Sequence, residues 1–91
     1  MSKDKIKNII IAYYKDDTEH ELPISVDKTI EELKKEIEKK FDIQIKNKLK
    51  VKKGTRGNLI LLADEKKTIG QYRIHNDDII PISQEDVLGG Y

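Results

Sequence analysis

Thr29-Ile30-Glu31-Glu32-Leu33-Lys34-Lys35-Glu36-Ile37-Glu38-Lys39-Lys40-Phe41-Asp42 is the stretch on which the reading of this chain turns. Thr29 and Glu32 stand at the spacing of a capping box, in which a hydroxyl and a carboxylate each satisfy a backbone N–H that a helix start leaves unpaired. Ile30, Leu33, Ile37 and Phe41 recur at intervals of three and four, so they line one face of a helix that ends near Asp42. The other face pairs Glu31 with Lys35 and Glu36 with Lys40 in the favourable i,i+4 order, which suits a solvated surface rather than chemistry. A lone helix with one apolar stripe must bury it against a sheet.

On the N-terminal side, Ile6 to Tyr14 carries Ile9, Ile10, Ile11, Tyr13 and Tyr14, a β-branched and aromatic run that predicts a strand. Lys15 to Glu19 is turn-prone, and Leu22, Ile24 and Val26 then alternate with Glu21, Pro23 and Ser25, completing a hairpin. Pro23 cannot donate to a ladder, so this second strand belongs on a sheet edge, where it is also open to pairing with another copy. On the C-terminal side, Ile43 and Ile45 lead into Leu49 and Val51, which alternate with Lys48, Lys50 and Lys52 as a third strand. Gly54-Thr55-Arg56-Gly57-Asn58 supplies a turn, Leu59 to Ala63 a fourth strand, and Asn76-Asp77-Asp78 a turn into a last strand at Ile79, Ile80 and Ile82. Pro81 within that last strand predicts either pairing over Ile79 and Ile80 alone or a bulge.

The 91 residues allow one domain. Charged residues make up 38% of the chain while the net charge is only +1, so the charges coat a surface instead of building the strong field that bulk nucleic-acid binding requires. There is no cysteine, which removes disulfides, thiolate metal sites and a cysteine nucleophile from this chain. His20 and His75 lack ligand spacing, and Asp16-Asp17 and Asn76-Asp77-Asp78 lack the glycine and distal glutamate of a calcium loop, so no metal or cofactor is expected. Neither a Ser-His-Asp constellation nor a phosphate-cradling glycine loop is present, and the chain is not expected to be an enzyme. Met1 to Lys5 lacks the apolar run of a signal peptide and no stretch is long enough to span a bilayer, so no membrane partner and a cytoplasmic location are expected.

Leu88-Gly89-Gly90-Tyr91 closes the chain. Consecutive glycines thread a channel too narrow for other dipeptides, and a glycine carbonyl is unhindered as an acyl donor. Tyr91 masks the Gly90 carboxylate until a peptidase removes it. Residues 83–91 are read as a flexible tail, with Ser83, Gln84, Glu85 and Asp86 as its stalk, and residues 1–82 as the domain.

A hairpin, a helix, short strands and a last strand beside the first make an α+β domain with the β-grasp arrangement, a mixed sheet of four to five strands carrying the helix on one face. Here the sequence resembles ubiquitin. Val26-Asp27-Lys28-Thr29-Ile30-Glu31-Glu32-Leu33-Lys34 is similar to that family's entry into its helix, Thr68-Ile69-Gly70-Gln71-Tyr72-Arg73-Ile74 to its Thr-Leu-x-x-Tyr-x-Ile segment, and Gly89-Gly90 falls at its reactive terminus. The resemblance implies a ubiquitin-like modifier whose catalytic groups all belong to partners. A processing peptidase cuts between Gly90 and Tyr91; an E1-like activating enzyme and an E2-like conjugating enzyme carry the Gly90 acyl group to an amine of a target protein; Gly89, Leu88 and Val87 thread and anchor the tail. A residue usage heavy in Lys, Ile, Asn and Asp is of bacterial flavour, and bacterial modifiers with a tail past the diglycine resemble parts of antiphage conjugation operons.

The departures from the family are specific. Gln84-Glu85-Asp86-Val87 is acidic where ubiquitin's tail is basic, so a eukaryotic activating enzyme should not recognise it. Lys50 stands where ubiquitin's third strand contributes to an exposed apolar patch. By strand parity Lys46, Lys48, Lys50 and Lys52 share a face, with Lys53 and Arg56 nearby, a basic stripe that either steers an acidic partner or is a solvated sheet face without the aromatics that nucleic-acid stacking needs. Two other functions fit the same residues: a non-conjugating ubiquitin-like binding or assembly module, and a β-grasp sulfur carrier whose terminal glycine becomes a thiocarboxylate, against which the extra Tyr91 counts.

Overall fold

The computed structural model describes residues 6–54 and 57–88. The helix α1 spans Ile30–Phe41, and its start is the capping box expected from the sequence: the Thr29 N–H donates to Glu32 Oε1 at 2.9 Å and the Glu32 N–H to Thr29 Oγ1 at 3.2 Å. The backbone N–H of Thr29 holds the Glu32 carboxyl below the usual carboxylate range. The helix stops at Asp42, which adopts a left-handed conformation at φ 57° and donates its N–H to the Glu38 carbonyl. Ile30, Leu33 and Ile37 are fully buried, as their spacing demands. Within the described residues the helix finds its ionic partner outside itself, Lys34 Nζ reaching Glu65 Oε2 at 3.3 Å.

Five strands form one mixed sheet in the order β2-β1-β5-β3-β4: β1 Ile6–Tyr13, β2 Thr18–Ser25, β3 Lys50–Lys52, β4 Leu59–Leu61 and β5 Ile79–Ile82. β1 pairs antiparallel with β2 and parallel with β5, and β3 pairs antiparallel with both β4 and β5. The last strand therefore lies beside the first, as in the β-grasp arrangement. One sheet face packs Ile9, Ile11, Leu22, Ile24, Val51 and Ile80 into the same core as the three helix residues. Tyr13 extends this core by stacking on Phe41, ring centroids 4.3 Å apart.

Two of the three stretches that carry the resemblance meet in space. The Ile30 N–H donates to Lys67 O, the Ile69 N–H to Lys28 O and the Gly70 N–H to Val26 O, at 2.9, 2.9 and 3.0 Å. Strand-to-helix entry and Thr68–Ile74 segment are thus two sides of one joint.

Backbone alternation explains both prolines. The Tyr14 N–H donates to Ile82 O at 3.0 Å, so Ile82 and Ile80 turn their peptide groups toward β1 while Ile79 and Pro81 turn theirs toward β3. β3 pairs with β5 at Ile79 alone, through Lys52, so the missing donor of Pro81 lies where that ladder has already ended. Neither expectation for Pro81 was met: β5 pairs with β1 along all of Ile79–Ile82, and the interruption falls on the β3 side. In the hairpin, Tyr13 O accepts from the Asp17 N–H at 3.0 Å, which turns odd-numbered β1 residues toward β2. Their partners Thr18, His20 and Leu22 face back, leaving the peptide groups of Glu19, Glu21 and Pro23 on the open edge. The edge position expected from Pro23 is the observed one.

The third strand, whose alternation runs over Lys48 to Lys52, is limited to Lys50–Lys52. The fourth, expected over Leu59 to Ala63, ends at Leu61. Its preceding turn uses both glycines: Gly54 has φ +69°, and a Cβ at Gly57 would collide with the Lys53 carbonyl. Among the described residues no helix is long and apolar enough to cross a membrane.

Candidate functional site

Ser83 to Asp86 is not a flexible stalk. The segment forms a short 3₁₀ helix, Gln84–Asp86, and the chain remains docked on the domain as far as Leu88. Asp86 organises the dock. Its Oδ2 accepts from Ser83 N–H and Oγ, both at 3.0 Å, its Oδ1 accepts from Asn47 Nδ2 at 3.0 Å, and its backbone oxygen accepts from the Lys46 N–H at 2.8 Å. Burial by itself would raise the Asp86 carboxyl, but the hydrogen bonds from Asn47 and Ser83 and the nearby charge of Lys50 hold it below the usual carboxylate range. Val87 then pairs antiparallel with Ile45, its side chain buried, and the Leu88 N–H donates to Gln44 O at 2.8 Å. From the other side, Glu38 of α1 fixes the receiving loop by accepting the Ile45 N–H at 2.8 Å and the Ile43 N–H at 3.0 Å. Asp86, expected in a solvated stalk, thus has a structural use, and residues 44–46 receive the docked segment. The chain is docked as far as Leu88, past the boundary expected at residue 82.

Leu88 itself is 59% exposed. Gly89, Gly90 and Tyr91, the residues expected to serve conjugation and processing, lie outside the described residues. Beside Leu88 is a cleft of about 310 Å³ lined by Tyr14, Lys15, Asp42, Ile43, Gln44, Val87 and Leu88. The Tyr14 hydroxyl is buried without a hydrogen-bond partner among the described residues.

The lysines of the expected stripe are not equivalent. Lys50 and Lys52 are in β3 and half-buried, whereas Lys46 and Lys48 precede it and are exposed, so strand parity places only the first two. Lys48 Nζ lies 3.8 Å from Glu65, Lys50 sits near Asp86, and Lys53 is bound to Asp78; Arg56 lies outside the described residues. Asp78 is buried, and burial alone would raise its carboxyl. Hydrogen bonds from Lys53 Nζ and from the N–H groups of His75 and Gly54 hold it below the usual range instead. This ion pair ties the β3–β4 hairpin to the approach to β5.

A surface feature that the sequence reading missed lies on the far side of that hairpin. Leu59, Ile60 and Leu61 are 54%, 43% and 51% exposed, the whole of β4. Leu59 pairs with Lys52 and Leu61 with Lys50, so an apolar strand flanks the lysine that replaces the expected apolar patch. The available signal was the unbroken apolar run; it reads equally as a strand buried on both faces, and only the sheet order shows that β4 is an edge. Among the described residues no His, Cys, Asp or Glu cluster could hold a metal.

No protein-family model and no curated protein matches the chain. Solved structures do. The C-terminal ubiquitin-like domain of mouse tubulin-specific chaperone E is similar over 89% of this chain and 88% of that domain, with a TM-score of 0.71 and 14% identity. A designed protein based on ubiquitin is similar over 87% of this chain and 88% of that one, with a TM-score of 0.60 and 18% identity. At such identities the likeness establishes the fold: an α+β, ubiquitin-like β-grasp domain.

Proposed function

We propose that this ubiquitin-like domain is a protein modifier, conjugated through the carboxylate of Gly90 after removal of Tyr91. The observation that carries the reading is the tail root: a clamp of backbone and Asp86 hydrogen bonds ends at an exposed Leu88, directly before Gly89-Gly90. A rigid root limits the donor's search to a few residues, and at roughly 3.3–3.6 Å per extended residue the Gly90 carbonyl stays within about 10 Å of Leu88. A partner must therefore bring its active site to the domain surface.

The chemistry proceeds by transfers that this chain does not catalyse. A processing peptidase hydrolyses the Gly90–Tyr91 bond, releasing tyrosine and a free carboxylate. An E1-like enzyme adenylates that carboxylate with ATP, expelling diphosphate. A partner thiol displaces AMP to form a thioester, since this chain has no cysteine, and a target amine displaces the thiol to leave an amide. The acidic Glu85-Asp86 pair before the diglycine disfavours a eukaryotic activating enzyme, and a residue usage heavy in Lys, Ile, Asn and Asp favours dedicated bacterial machinery in the cytoplasm, with antiphage conjugation as the setting.

The test is intact mass of the chain expressed with the enzymes of its own genomic neighbourhood. The reading expects loss of one tyrosine, followed by adducts to other proteins that vanish in Gly90→Val. A thiocarboxylate mass would replace it with the sulfur carrier. Full-length, unmodified protein would replace it with the binding or assembly module.

A further inference from the structure

The open edge of β4 is apolar in a self-complementary way. The Leu62 N–H donates to Leu49 O at 2.8 Å and Asn58 O accepts from the Lys53 N–H at 3.5 Å, so even-numbered positions turn their peptide groups toward β3. Those of Leu59 and Leu61 therefore point away from the sheet, without a strand to pair with among the described residues. Their side chains share a face with Lys52 and Lys50, opposite to the buried Val51 between those lysines. The strand reads Leu-Ile-Leu, the same in both directions about Ile60.

We propose that β4 pairs antiparallel with β4 of a second copy of this chain, about a two-fold axis that passes between the two Ile60 residues. Leu59 of each copy then lies opposite Leu61 of the other, and each such pair exchanges both N–H···O bonds. On one sheet face the leucines of both copies form a continuous cluster flanked by the stems of Lys50 and Lys52. Both sheets become one, and a two-fold axis closes the assembly at two copies. With only three residues per strand, the association is weak and depends on concentration. It does not depend on Gly90.

Sedimentation velocity of the full 91-residue chain from about 10 μM to about 1 mM, a range that detects weak specific association, tests this. A reversible monomer–dimer equilibrium is expected. L59K/L61K should raise its dissociation constant at least about tenfold, the scale of losing several buried side chains at an interface centre. L61P removes an outward N–H without touching the ladder to β3 and should act in the same direction, with thermal melts showing which variants remain folded. G90V should leave the equilibrium unchanged. A monomer throughout, a dimer indifferent to both folded edge variants, or open-ended assembly would each overturn the proposal.

Discussion

The two edges of the sheet are built from the same peptide geometry and opposite side-chain chemistry. On β2 the outward peptide groups belong to Glu19, Glu21 and Pro23, and the inward side chains Leu22 and Ile24 are buried. On β4 they belong to Leu59 and Leu61, both more than half exposed. Charge and proline are the ordinary means of keeping a sheet edge from being extended by another chain. One edge of this domain has them and the other does not: the eight-residue β2, expected from its place at the edge to be open to another copy, carries both guards, and the three-residue β4 carries neither. Edge length is therefore a poorer guide to pairing than the residues whose peptide groups face outward.

The largest effect that can break this comparison is thermodynamic. Leu22→Ala should cost about 2–5 kcal/mol, because a buried leucine leaves a cavity. Leu61→Ala should cost less than about 0.5 kcal/mol in the monomer, because its side chain is already in water. Chemical denaturation at low micromolar concentration measures both, and equal losses would show that β4 is not the exposed edge.

Next in size is the ion pair that holds the β4 side in place. Asp78→Asn should destabilise the domain by about 1–3 kcal/mol at neutral pH, since Lys53 loses its charged partner. The folded Asp78 carboxyl is depressed, so the stability it contributes is present above the unfolded value of about 4 and is lost as pH falls through the lowered folded value. Acid titration of stability should accordingly be shallower below about pH 4 in Asp78→Asn than in the parent. Parallel curves would remove Asp78 from the account.

The smallest change in stability should come from unguarding β2. E21V/P23V replaces outward-facing residues at exposed positions and should alter unfolding free energy by no more than about 0.5–1 kcal/mol. Its effect should appear in association, adding a second pairing edge and converting a closed dimer into larger species visible by light scattering. A variant that behaves like the parent would show that β2 is kept unpaired by something other than its charges and proline.

Local patterns account for what was legible beforehand. The Thr29–Glu32 box, the Ile30, Leu33 and Ile37 stripe and the stop at Asp42 are satisfied within a few residues, so the helix appeared where its spacing put it. Pro23 at the edge follows from one missing donor, a property of the residue itself. The tail misled for the opposite reason. Gln84-Glu85-Asp86 has the composition of a linker, and nothing adjacent in sequence shows that Asn47 and Lys46, some 40 positions earlier, hold it.

Sequence by itself determined the helix, the strands and their order, because periodicity and capping are properties of neighbouring residues. Tertiary structure decided which peptide groups remain unpaired, that Ser83 to Leu88 belongs to the domain, and that Leu59-Ile60-Leu61 faces water. Those outcomes depend on which distant segment reaches each backbone group first, and a hydrogen bond made to one partner is withdrawn from every other.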